Sequence, residues 1–294
     1  MAVAIARLPQ AQLAPLLGAY QQEQNAKRRM TIVGLLVLTA CTIVAGWMAE
    51  VDLEKFFQNF GQLTSYLGRI FFLDNGKIVF TDIGEWFWGW KKWLVHIGDT
   101  LLIAYLGTVF GTIGAFFVCF AASGNLSRNN KSRFVARRLL EFFRTVPELV
   151  FALIFVVAFG LGPVPGVLAI AIHTFGALGK LFSEVVENID MKTVDGATST
   201  GASRWQVIRY AVVPQVLSNF ASYSLLRFEI NVRGASVMGF VGAGGIGQEL
   251  IEAVRKFYYS DVSAILLLII ATVMLIDLGT ERLRHALIAQ EQRR

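Results

Sequence analysis

Long stretches of this chain carry no charge, and that absence constrains the fold more than any single motif. Residues 30–49 run 20 positions without Asp, Glu, Lys or Arg, and residues 100–122 run 23. A helix rises 1.5 Å per residue, so about 20 apolar residues cover the roughly 30 Å hydrocarbon core of a bilayer. Both runs qualify. Residues 149–179 lack the same four types over 31 positions, too many for one crossing. Inside that run lies GLGPVPG at 160–166, whose prolines and glycines break a helix in its middle. It reads as a hairpin between spans over about 139–160 and 164–187. Shorter charge-free cores at 210–226 and 262–276 supply two more. The expectation is an all-α integral membrane protein with six transmembrane helices. Only 16% of residues are charged, against about a quarter in soluble domains.

Basic residues set the orientation, because Lys and Arg collect on the cytoplasmic side. Lys27, Arg28 and Arg29 precede the first span, and Arg128, Lys131, Arg133, Arg137 and Arg138 fill the second inner loop. Lys192, Arg204 and Arg209 lie between spans four and five, and Arg282, Arg284, Arg293 and Arg294 follow span six. Six spans with both termini inside put all four clusters on one face. The net charge of +6 is then a topology signal and calls for no nucleic acid. Four segments follow: 1–29, cytoplasmic, with a surface helix over 9–26; 30–93, the first span and an aromatic periplasmic loop; 94–285, a five-span core; 286–294, a cytoplasmic tail. The first span is expected to remain as an uncleaved anchor. Trp86, Trp88, Trp90 and Trp93 read as an interfacial segment at headgroup level. Cys41 and Cys119 fall within spans and pack as small apolar residues. His96, His173 and His285 are too scattered to found a metal site.

One inner segment, VDGATSTGASRWQVIRYAVVP at 194–214, breaks with its apolar surroundings. Asp195 favours a helix N-terminus. The small residues Gly196 to Thr200 let another surface approach the backbone, and Gly201 permits a left-handed stop. Arg204 to Arg209 then form a second helical piece, with Trp205 and Ile208 on one side. Pro214 sits in the first turns of span five, where a missing N–H is tolerated. Asp195-Gly196-Ala197, then Gly201, then Ala211 to Pro214 resemble the E-A-A, Gly, I-x-L-P pattern of permease subunits of bacterial ATP-driven importers. Asp stands for Glu, Gly196 for the first Ala, and Ala211 and Val213 for Ile and Leu; the glycine, proline and spacings hold. Three further stretches, FRTVPELVFALIFV (143–156), TGASRWQVIRYAVVPQVL (200–217) and RFEINVRGASVMGFVGAGGIG (227–247), resemble the phosphonate importer permeases. The similarity spans about 95–285.

That resemblance implies a type I ABC importer permease fold and a coupling helix near 193–209 that docks on a cytoplasmic ATPase through Asp195, Gly196, Ala197, Gly201, Ala202, Arg204 and Pro214. It also implies two such ATPase subunits, a periplasmic substrate-binding protein and a second permease, with a homodimer the simplest closed arrangement. The chain has no G-x-x-x-x-G-K-[ST] loop, so ATP and Mg belong to the partner and no cofactor to this chain. No catalytic residues are expected. The implied cargo is phosphonate, phosphite or a related phosphorus oxyanion.

Glu148, Arg227, Glu229 and Arg233, with His173 and Lys180, are charged or titratable groups at membrane depth, where such residues face a partner or a wet cavity. Arg227 or Arg233 would draw the anion through while Glu148 or Glu229 holds the arginine between events. Structural ion pairing accounts for the same residues equally well. Gly242, Gly244 and Gly245 sit in a literal G-x-G-x-x-G match. With a membrane span following, it is a packing element at a gate, or an anion site at a helix beginning near Gln248, and not a dinucleotide fold. An ion-coupled secondary transporter of a small anion is the main alternative; it predicts internal repeats that the sequence does not display. A membrane enzyme would need clustered catalytic groups, and a channel has no use for an ATPase dock.

Overall fold

The computed structural model of the chain describes residues 10–73, 76–127 and 129–291. Arg128, Arg293 and Arg294, used above for orientation, lie outside them, as do residues 1–9 and the end of the 286–294 tail. Regular structure among the described residues is helical, with one isolated antiparallel bridge between Phe72 and Ile78. The chain divides into two compact units, residues 1–65 and 66–294.

In the first unit, α1 (Gln10–Met48) is one continuous helix. The surface helix expected over 9–26 and the span over 30–49 are therefore a single element, because no Gly-Pro or cap signal separates them. From residue 18 onward its large apolar side chains, among them Leu35, Leu36, Leu38 and Trp47, are exposed. The helix α2 (Leu53–Ile70) begins in this unit, with Phe56, Phe60 and Leu63 on one stripe.

The second unit is the helical core. The short α3 (Ile83–Trp86) leads into α4 (Trp90–Ala122), then α5 (Asn130–Thr145), α6 (Glu148–Phe159) and α7 (Pro163–Glu187). The element α8 (Met191–Ser199) and one turn, α9 (Arg204–Val207), precede α10 (Val213–Met238), α11 (Ile246–Arg255) and α12 (Tyr259–Glu291). Helices α4 and α7 pack closely because Gly107 and Gly111 of α4 accept Ile170 and Thr174 of α7 where a side chain would collide.

Among the described residues four helices are long and apolar enough to cross a membrane, at Gly18–Met48, Trp90–Ala122, Pro163–Glu187 and Tyr259–Ala286. The expected span over 139–160 is not straight: α5 and α6 meet at 85°. Pro147 is the cause. A proline pushes the preceding residue out of the helical region, and Val146 has ψ 124°. Counted as one broken span, the pair makes five. At 26 residues α10 is long enough for a sixth, but Arg227, Glu229 and Arg233 interrupt its apolar character.

The tryptophan run departs from expectation. Trp86 and Trp93 are buried, packing with Ile97, Ile246, Leu250 and Ile265, and the Trp86 indole donates to Ser263 Oγ at 2.9 Å. Trp88 and Trp90 are exposed, so only half of the run suits an interface. A ring with one donor is buried readily once that donor has a partner.

Candidate functional site

The α8–α9 segment is fixed to the bundle on one side and bare on the other. Asp190, five residues earlier than Asp195, caps α8 by accepting from the Lys192 N–H at 3.0 Å. Asp195 is thus exposed in mid-helix and does not sit at the N-terminus, because Asp190 already takes that role. Val194 turns inward and is buried with Phe182, Val207, Ile208 and Val212, while Ala197 and Ala202 pack partly against them. Gly196 faces open space, with nothing within 4 Å of where a Cβ would stand.

Gly201 ends the helix with φ +80°, the left-handed conformation anticipated for it, and its N–H reaches Thr198 O at 3.0 Å. Ser203 and Gln206 form a reciprocal capping box that starts α9 at Arg204, whose side chain is exposed. Trp205 and Ile208 point to different faces: Trp205 is 71% exposed and Ile208 is buried. Three residues apart, they part company where the chain passes into a π-helical turn over Ile208–Val212. That turn lies directly before Pro214, whose ring and missing N–H conflict with a regular α-helical ladder; a widened turn relieves both. An open concavity of 490 Å³ remains on the outer side, lined by Ala197, Thr200, Gly201, Ala202, Gln206 and Tyr210.

Side chains not singled out by sequence brace this end. Glu187 closes α7 by accepting from the Gly124 N–H at 2.6 Å and pairing with Arg137, whose Nε donates to Ala122 O at 2.8 Å. Gln215 accepts the Asp190 N–H at 3.0 Å, tying α8 to α10. Gln215 thus links the start of α8 to α10, while Glu187 fastens the end of α7 to α5 and to the α4–α5 connection.

Apart from Lys180, which pairs with Glu184 on its own helix at 2.9 Å, the charged residues at depth fall into two groups. Arg227 contacts His173 and lies 3.5 Å from Thr174 Oγ1, while His173 is 3.7 Å from Glu148. Arg233 pairs with Glu229 one turn below it and with Asp277 of α12 at 3.2 Å. The structure thus brings Glu148 and Arg227 together and sets Glu229 and Arg233 apart from them. Sequence reading missed Asn231, which is fully buried and donates to Thr108 and Thr174 at 2.8 Å each. A lone amide amid the charges of span five was the available signal. Among the described residues no group of three His, Cys, Asp or Glu side chains is gathered for a metal ion.

At the far end of α4, the glycine run is packing. Gly242, Gly244 and Gly245 all have φ between +80° and +88°. Added side chains would strike Leu161, Pro163 and Thr100, respectively. The helix begins at Ile246 and not near Gln248, and its first N–H is taken by Thr100 Oγ1 at 2.8 Å. An anion at that terminus would find this donor already satisfied.

The arrangement matches a known family. Residues 107–290 fit the model of the binding-protein-dependent transport system inner membrane component. The chain belongs to that family. It is a multi-pass inner-membrane permease subunit of ABC transporters, not an enzyme; ATP hydrolysis resides in a separate subunit. The permease is 43% identical to a phosphite transport system permease protein of Stutzerimonas stutzeri, over 65% of this chain and 70% of that one. A second protein of that organism, provisionally named a phosphite transport system permease, is 33% identical over 90% of this chain and 89% of its own. Among solved structures, a bacterial ABC transporter that imports the acidic polysaccharide alginate aligns with TM-score 0.59 at 13% identity, covering 83% of this chain and 97% of that chain. The permease has the type I ABC importer fold.

Proposed function

We propose that the permease forms the membrane path of an importer for phosphite, phosphonate or a related phosphorus oxyanion, and that α8, Gly201 and α9 dock on a cytoplasmic ATPase. The observation that carries the docking is the two-sidedness of this segment: Val194 and Val207 are buried while Gly196, Gly201 and Trp205 face outward. The names of the relatives support the cargo. Arginine suits such a cargo because its planar fork matches the oxygens of a small oxyanion.

In this reading the α8 end is cytoplasmic and the Gly242–Gly245 end is periplasmic, where a binding protein delivers the anion. Two permease copies face two ATPase subunits, which hold ATP and Mg; this chain holds no cofactor. Closure of the ATPase pair pushes α8, and the Asp190–Gln215 hydrogen bond passes the movement to α10. Each permease then alternates between two states biased by nucleotide on its partner. Arg227, held by His173 and Glu148, is the cationic contact of the path. Gly242 and Gly244 close the outer end by packing on the α6–α7 hairpin, and Gly245 by packing on Thr100 of α4.

Purification of the tagged permease from its native membranes tests the docking. A nucleotide-hydrolysing subunit is expected to accompany the native chain and to be lost from Gly201→Trp, which places a bulky side chain on the outer face. A stable native chain that purifies with no ATPase would refute it and turn attention to ion coupling.

A further inference from the structure

Two rows of polar residues run along α7 and α10 from the level of Arg227. At 100° per residue, His173, Lys180, Glu184 and Asn188 lie within about 80° of one another around α7. On α10, Gln215, Asn219, Tyr223 and Arg227 recur at intervals of four. The rows meet at both ends. At the upper end Arg227 contacts His173. At the lower end Leu181, Glu184, Asn188, Gln215, Asn219 and Tyr223 border an open concavity of 470 Å³. Between Gln215 and Arg227 the helix rises about 18 Å, over half the hydrocarbon thickness. A row of polar side chains at that depth faces protein or water, since lipid cannot satisfy it.

We infer that this α7–α10 trough is the inner half of the anion route and that Lys180 is its second cationic station, between Arg227 and the cytoplasmic mouth. The inference rests on the proposed orientation and cargo class. Lys180 lies 2.9 Å from Glu184 and its side chain is largely covered. The order, Lys before Glu, is the less favourable one for an i, i+4 pair on a helix. The ammonium, a mobile point charge on a flexible stem, can leave Glu184 for an incoming oxyanion and return to it. On return, the anion faces the Glu184 carboxylate at the open mouth and is repelled outward. The trough therefore passes the anion on without holding it tightly.

Inverted membrane vesicles carrying the whole importer, with Cys41→Ser in the permease, provide the test. Asn219→Cys is placed in the trough, and Leu217→Cys on the far side of α10 serves as control. Each is treated with an anionic sulfonatoethyl and a cationic trimethylammonioethyl methanethiosulfonate, and phosphite uptake by intact cells carrying the same importer is followed in parallel. Asn219→Cys is expected to react and Leu217→Cys not. Adding Lys180→Gln should lower the anionic-to-cationic rate ratio by about tenfold, the effect of removing one nearby positive charge, and Lys180→Arg should restore it. Retention of the ATPase on purification checks that each variant is assembled. An unreactive Asn219→Cys, or a ratio that ignores Lys180→Gln, overturns the trough. A labelling pattern that holds while the unmodified importer takes up no phosphite upholds the trough as an anion route and sinks the cargo reading instead.

Discussion

Replacing Gly111 by alanine tests whether the close α4–α7 approach organises the core. A Cβ at Gly111 would stand 2.7 Å from Thr174 Cβ and 2.8 Å from the Ala171 carbonyl oxygen. Carbon contacts settle near 3.5–4.0 Å, so the helices must part by roughly 1 Å, and a backbone oxygen cannot rotate away. Overpacking of this kind costs about 1–3 kcal/mol. Gly98, on the same helix, has nothing within 4 Å of its Cβ position. There the same substitution should gain about 0.5–1 kcal/mol, since glycine is a poor helix former. The two variants therefore move in opposite directions, separated by about 1.5–4 kcal/mol, or roughly 3–16 °C in the unfolding midpoint. Thermal unfolding of the purified, detergent-solubilised complex measures this. Separation also draws Thr174 away from Asn231 and Arg227, so uptake should fall in Gly111→Ala and persist in Gly98→Ala. Equal midpoints in the two variants would refute the packing argument.

Arg227→Gln should cut phosphite uptake by at least about tenfold, the loss of one charge-assisted contact. Arg233→Gln should leave uptake within about threefold and lower stability slightly, because its partners Glu229 and Asp277 are at a partly exposed site. Equal losses of uptake would show that the two charged groups do not divide as their geometry does. At the C-terminal end of α7, Glu187→Gln keeps an acceptor for the Gly124 N–H but gives up the ion pair with Arg137, for about 0.5–1 kcal/mol. Glu187→Ala strands that N–H as well and should cost about 1–3 kcal/mol more. Differential scanning fluorimetry distinguishes the two, and equal shifts would mean that the Gly124 bond contributes nothing.

Sequence alone reached the membrane class, because lipid tolerates long charge-free runs and water does not. It located the hairpin at GLGPVPG, where α7 does begin at Pro163, and the left-handed stop at Gly201; both follow from backbone rules that act within a few residues. It also gave the family through motif spacing. What it misjudged depended on which neighbour lay opposite. Trp86 and Trp93 look interfacial by composition, yet Ser263 and Ile265, far along the chain, create the pocket that buries them. The Pro147 break was written in the sequence, but an 85° bend and an uninterrupted apolar run look alike when only hydropathy is read. Four charged residues within the core were visible as a set. Only the packing of α6, α7, α10 and α12 divided them into Glu148 with Arg227 and Glu229 with Arg233, because side-chain pairing is fixed by helix faces brought together in space and not by order along the chain.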